Sequence, residues 1–123
     1  QKIRLVDDKK IRRVVMCTGK VYYDLYEKRE EHGIDDVYIL RIEQLYPFPA
    51  RALIKELGRF ENAEFVWCQE EPKNMGAWFF VEPNIEWVLS HVGARKRRAT
   101  YAGRVASNGP HEQTPSRTEP ASF

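Results

Sequence analysis

Three short apolar runs govern the chain: Arg13 to Cys17 (Arg-Val-Val-Met-Cys), residues 37–42 (Val-Tyr-Ile-Leu-Arg-Ile) and residues 64–68 (Glu-Phe-Val-Trp-Cys). Each is β-branched or aromatic, with little of the polar alternation of a half-exposed strand. Such runs read as strands covered on both faces, as in a parallel sheet. Each is followed by a turn and then by helical spacing. After the first, Thr18-Gly19-Lys20 turns the chain, and Val21/Leu25 and Tyr22/Tyr26 recur one turn apart; the spacing predicts a helix over 20–32, stopped by Gly33. After the second, residues 43–48 form a loop closed by prolines, with Pro49 as the first helical residue and Leu53, Ile54, Leu57 and Phe60 on one face. After the third come the polar residues 69–74 and a helical region from Gly76, which Pro83 is expected to break or restart. Residues 2–6 and Thr100-Tyr101 are expected to add short edge strands. Strand and helix in alternation, with short connections, demand a mainly parallel sheet with helices on both faces.

A length of 123 residues suits one domain, here residues 1–104, followed by a Ser-, Pro- and Thr-rich segment, 105–123, expected to be a flexible tail. Twenty basic residues against 18 acidic ones leave a net charge of +2, too even for a nucleic-acid surface. No apolar run approaches the ~20 residues that a membrane helix needs, so neither nucleic acid nor membrane is an expected partner. Cys17 and Cys68 lie inside apolar runs, outside any Cys-x-x-Cys pair, and His32, His91 and His111 stand at no ligand spacing from them. Reduced buried thiols and no metal site are expected. With neither an initial Met nor a targeting segment, the sequence reads as part of a longer chain.

In an open parallel sheet ligands bind at the carboxyl ends of the strands, where the chain direction switches. Thr18, Gly19 and Lys20, then residues 43–48, then 69–74 gather there. Thr18-Gly19-Lys20 has the Gly turn, the cation and the helix start that favour an anion, without the second glycine and spacing of a Walker loop; a solvated turn is the plainer alternative. Glu70 and Glu71 are adjacent and point apart in an extended chain, so one is expected to accept loop amide hydrogen bonds and the other to face a basic partner. Gln69 and Asn74 complete a polar loop bracketed by Trp67 and Trp78, which are expected to anchor its two ends by burial. No Ser or Cys nucleophile motif is present, and no self-sufficient catalytic set is expected. Trp78, Phe79, Phe80 and Trp87 exceed what one small helix buries and point to an interface. The basic residues 95–98 read as solvated, or as a contact for an acidic subunit or phosphate.

Residues 15–25 (Val-Met-Cys-Thr-Gly-Lys-Val-Tyr-Tyr-Asp-Leu), 41–49 (Arg-Ile-Glu-Gln-Leu-Tyr-Pro-Phe-Pro), 67–78 (Trp-Cys-Gln-Glu-Glu-Pro-Lys-Asn-Met-Gly-Ala-Trp) and 101–104 (Tyr-Ala-Gly-Arg) resemble, in order, the C-terminal domain of 2-oxoglutarate dehydrogenase, the thiamine-dependent decarboxylating first component. The resemblance implies a transketolase C-terminal-like α/β fold. This is a three-layer sandwich with a mostly parallel five-stranded sheet and one antiparallel edge strand, and with the first run between the second and third. It implies a parent enzyme that oxidatively decarboxylates 2-oxoglutarate on thiamine diphosphate and Mg²⁺, held by other domains, and succinylates a lipoyl group in the citric acid cycle. The implied partners are the other domains of the same chain, a second copy in a homodimer, and the lipoyl domain and succinyltransferase core. The implied location is the bacterial cytoplasm or the mitochondrial matrix. Within that enzyme this domain is expected to be non-catalytic, a dimerisation and channel element. Alternatively it is a regulatory module for a nucleotide or acyl-CoA, with Lys20, Arg41 and Gln44 as effector contacts. The terminal helix usual in the family has no counterpart in the pattern of 105–123. A free-standing receiver-type signalling domain would need acidic residues where Cys17 and Thr18 stand.

Overall fold

The computed structural model describes residues 4–93 and 98–104. Four strands, β1 (Arg13–Cys17), β2 (Val37–Arg41), β3 (Glu64–Pro72) and β4 (Ala99–Arg104), alternate with α1 (Val21–Glu31), α2 (Ala50–Leu57) and α3 (Trp78–Leu89). The strands lie in the order β2-β1-β3-β4, and every pairing is parallel. From β1 the chain steps one way to β2, then crosses back over β1 to reach β3. Right-handed crossovers therefore send α1 to one face and α2 to the other. The side chains follow: Val15, Cys17, Val37 and Ile39 pack with Val21 and Leu25 of α1. Val14, Met16, Phe65 and Trp67 pack with Leu53 and Leu57 of α2 and with Val81, Ile85, Val88 and Leu89 of α3. Successive residues of β1 serve opposite faces, which is why its run is apolar throughout. The three-layer α/β architecture is the expected one; the described residues hold four parallel strands and no antiparallel fifth.

Local expectations fare unevenly. Residues 4–6 are not a strand: Leu5 and Val6 pack half-buried on the α2/α3 side, and the Val6 amide bonds the Asp35 carbonyl at 3.0 Å. The expected strand's first two residues lie outside the described set, as do 95–97 of the basic run and the 105–123 tail. Gly33 does end the first helical segment, at φ 64°. Pro49 caps α2 rather than opening it.

Pro83 breaks nothing. α3 runs through it, because a proline forfeits one hydrogen bond while the inward face packs Val81, Ile85, Val88 and Leu89 almost completely. Asn84 Nδ2, one residue on, donates to the Phe80 carbonyl at 2.8 Å. The largest correction concerns β3, which continues through Cys68 to Pro72. Pairing with β4, from Phe65↔Ala99 to Pro72↔Arg104, supplies main-chain partners to residues that look like loop in the sequence.

Candidate functional site

Because β1, β2 and β3 are parallel, the turns leaving them emerge on one rim, and Lys20 and Glu70 stand at the same end of the sheet. The switch point falls between β1 and β3, which carry Thr18-Gly19-Lys20 on one side and the end of β3 on the other.

Lys20 is exposed at the start of α1 with no side-chain cap on the helix, Gly19 is exposed in the left-handed region (φ 75°), and Thr18 is half-buried. Cys17 is in register with Arg41 on β2. The Arg41 guanidinium lies over the rings of Tyr22 and Tyr23, at 5.7 and 5.2 Å, and Nη1 donates to the Tyr23 hydroxyl at 3.1 Å. Its Nε is buried and, among the described residues, has no hydrogen-bond partner. Lys20 and Arg41 thus bring two cations to the first turn of α1, whose dipole also favours an anion. The aromatic walls around Arg41 are what sequence reasoning missed; Tyr22 entered there only through its helical spacing with Tyr26, and Tyr23 only within the family block. Gln44 turns its Nε2 to the Tyr46 carbonyl, 3.1 Å away. With Arg41, Glu43, Pro49, Leu53 and Glu56 it borders a groove of about 310 Å³ between β2 and α2.

Gln69 is not a loop donor awaiting a ligand. It is 4% exposed and spends its whole amide inside the protein. Its Oε1 accepts from the Trp67 indole (2.8 Å) and the Trp78 amide (3.1 Å), and its Nε2 donates to the carbonyls of Pro72 (2.9 Å) and Met75 (2.6 Å). It ties the end of β3 to the start of α3 and so holds the turn between them. The signal was available: Phe65, Trp67 and Gln69 alternate at period two, which puts Gln69 on the core face.

Glu70 and Glu71 form an irregularity in the β3–β4 pairing, between Gln69↔Gly103 and Pro72↔Arg104, that pushes both residues into solvent. The hydrogen bonds that fix this stretch end on main-chain carbonyls rather than carboxylates. The Glu71 carbonyl accepts from the Tyr101 hydroxyl (2.9 Å) and from Gln69 (3.2 Å). Asn74 is exposed in the following turn. Trp78, expected among the exposed aromatics, is 4% exposed and packs at a tilt on Tyr101, whereas Phe79, Phe80 and Trp87 are exposed.

The two thiols stand under this rim. Burial first, then Cys68, pushes the Cys17 thiol from 9.0 to about 12, with Arg41 opposing; burial and then Glu70 push Cys68 to about 11. Both are free and buried. Folded protein should resist a disulfide reagent at pH 8 and react fully once unfolded. Both thiols hold their protons more tightly folded than unfolded. Their contribution to stability is therefore intact below about pH 9 and is lost as pH rises toward about 11 to 12. A denaturant midpoint that falls across that window, and falls less in a Cys17→Ala/Cys68→Ala variant, is the expected result.

Comparison with known proteins adds what geometry cannot. The family described as 2-oxoglutarate dehydrogenase C-terminal matches residues 1–117. The chain belongs to that family. It is 68% identical over 108 residues to the 2-oxoglutarate dehydrogenase E1 component of Brucella anthropi, an alignment covering 88% of this chain and 11% of that protein. The proteins of the same name from Brucella ovis and Brucella melitensis match to the same extent. The chain therefore spans about a ninth of the length of these relatives. Among the described residues no helix is long and apolar enough to cross a membrane.

Proposed function

We propose that this chain serves as the C-terminal domain of a thiamine-dependent 2-oxoglutarate dehydrogenase, the component that decarboxylates 2-oxoglutarate and passes a succinyl group to a lipoyl arm. The observation that carries this reading is the 68% identity along 88% of the chain to proteins bearing that name. Thiamine diphosphate with Mg²⁺ needs a set of oxygen donors. The residues here do not fit it: Gly-Asp-Gly, the signature that the family resemblance implies for this cofactor, does not occur in the sequence, and no three His, Cys, Asp or Glu side chains cluster among the described residues. No chemical step is therefore routed through this chain, and its role is to join the homodimer and wall the channel that admits substrate and the lipoyl domain. The test is a chimera in which this chain replaces the matching 108 residues of the Brucella anthropi protein. Retained thiamine-dependent oxidation of 2-oxoglutarate with an artificial acceptor is expected. A folded, dimeric but inactive chimera would refute the assignment, as would turnover by the 123-residue chain alone.

Arg41 favours a second role on the same domain. A half-buried guanidinium whose Nε has no partner among the described residues, walled by two tyrosines of the helix that Lys20 caps, suits the phosphates of a nucleotide or an acyl-CoA. In the chimera, Arg41→Ala and Lys20→Ala should each weaken effector binding by about tenfold in calorimetric titration, the loss of one charge-assisted contact. An unchanged affinity removes that residue from the site.

A further inference from the structure

Cys17 and Cys68 are buried nucleophiles that the proposed role of the domain leaves unused. The register of β1 with β3 pairs Met16 with Trp67, and the next residue of each strand is a cysteine. Both thiols lie on the α1 side of the sheet, packed in one cluster with Val21 and Leu25. Cys68 is near enough to oppose ionisation of Cys17. Linear spacing hid the pair, because the two cysteines meet only across strands. Separation decides what they can do. Adjacent strands lie ~4.8 Å apart, and residues in register on parallel strands send their side chains the same way, side by side. A disulfide needs Cβ atoms ~3.8 Å apart and converging. A two-coordinate metal needs its sulfurs ~4.5 Å apart, twice a metal–thiolate bond of ~2.2–2.3 Å. The strand spacing matches the metal and exceeds the disulfide. Donor number then selects the ion. No third His, Cys, Asp or Glu joins the two thiols among the described residues. Zn²⁺, which takes four ligands, and Mg²⁺ or Ca²⁺, which take six or more oxygens, do not suit such a pair. Two thiolates alone select a soft monovalent ion.

We propose that Cys17 and Cys68 form a two-coordinate site for copper(I). Binding is ligand exchange without redox: Cu⁺ adds to both sulfurs, both S–H bonds break, and the two protons leave to solvent. The product is a bis-thiolate with a single net negative charge, and a buried anion needs a partner. Arg41 supplies it. It stands in register with Cys17 on β2, and its Nε is buried with no hydrogen-bond partner among the described residues. Its guanidinium lies over Tyr22 and Tyr23 of α1, on the same side of the sheet as the thiols. The metallated Cys17 sulfur gives that N–H an acceptor. The site stands whether or not this chain works within a decarboxylase.

The test incubates the 123-residue chain anaerobically with copper(I) held by the chromogenic chelator bicinchoninate, long enough for local opening to admit the ion. One copper per chain is expected to leave the chelator. X-ray absorption should then show two sulfur neighbours at about 2.2 Å and no nitrogen or oxygen. Cys17→Ala and Cys68→Ala should each weaken binding at least ~100-fold and Arg41→Met about tenfold, each checked for an unchanged far-UV spectrum. The absorption measurement needs no variant, so it decides the case even where a substitution unfolds the chain. Copper that stays with the chelator overturns the site. Copper bound through nitrogen or oxygen, or held as tightly by either cysteine variant, is an adventitious ion only and overturns it too. An unchanged affinity in Arg41→Met overturns the buried anionic form. A Cys17–Cys68 disulfide formed in the folded chain by dilute hydrogen peroxide also overturns the site, because the sulfurs would then reach bonding distance.

Discussion

Replacing Gln69 by Leu should cost the fold about 3–5 kcal/mol, a large share of the ~5–15 kcal/mol that holds a domain of this size. Leucine is about one methylene larger, so a small steric cost adds to a loss that is mainly polar. The Trp67 indole and the Trp78 amide lose their shared acceptor in a buried site, and the carbonyls of Pro72 and Met75 lose their donor. An unsatisfied buried group costs about 1–3 kcal/mol, and some of the four will find water once the turn loosens. Urea unfolding of Gln69→Leu is the measurement. A midpoint within error of the parent would mean that the amide network does not hold the turn. Gln69→Glu refines the test. Its carboxylate would accept from the two N–H groups but face the two carbonyls, so its pKa should be raised in the folded state. The variant should then be closest to the parent in acid and lose stability as pH climbs above ~4.3, the ordinary value for Glu.

Gly103→Ala should be comparably damaging, about 3 kcal/mol, for a steric reason. Gly103 sits at φ 142°, a conformation that side-chain-bearing residues rarely adopt. A Cβ there would lie 2.5 Å from the Gln69 carbonyl oxygen and 3.0 Å from the Tyr101 hydroxyl. The first obstacle is main chain of β3 and has little freedom to move. Relief requires β4 to peel away, which also releases Tyr101 from the Glu71 carbonyl. Hydrogen exchange of the β4 amides should accelerate before the rest of the sheet. Uniform protection with an unchanged melting temperature would show that β4 tolerates the extra atom.

These two positions mark the border of what local pattern conveys. The strands of the first two units and the faces of their helices were legible because each segment carries its own period: Val14 and Met16 against Val15 and Cys17, Leu53 and Leu57 on one side of α2. The common rim of Thr18, Lys20 and Glu70 followed from parallel topology alone, whereas Arg41 entered only through the family resemblance. Gln69 was misread as loop because polarity outweighed its place in the Phe65, Trp67, Gln69 alternation. Trp78 was read both as a buried anchor of the polar stretch and among the exposed aromatics; the first reading holds, in a core that includes Tyr101 from β4.

The amino-acid sequence by itself determined the alternation of strand and helix, the order of the sheet through its resemblance to a family, and the rim on which polar residues collect. Only the tertiary structure decided that β3 extends to Pro72, that Gln69 faces inward and that α3 passes through Pro83. The reason is range. Periodicity and turn chemistry are carried within a dozen residues, whereas the partners that settle these points arrive from elsewhere in the chain. The Tyr101 hydroxyl that meets the Glu71 carbonyl comes from 30 residues away.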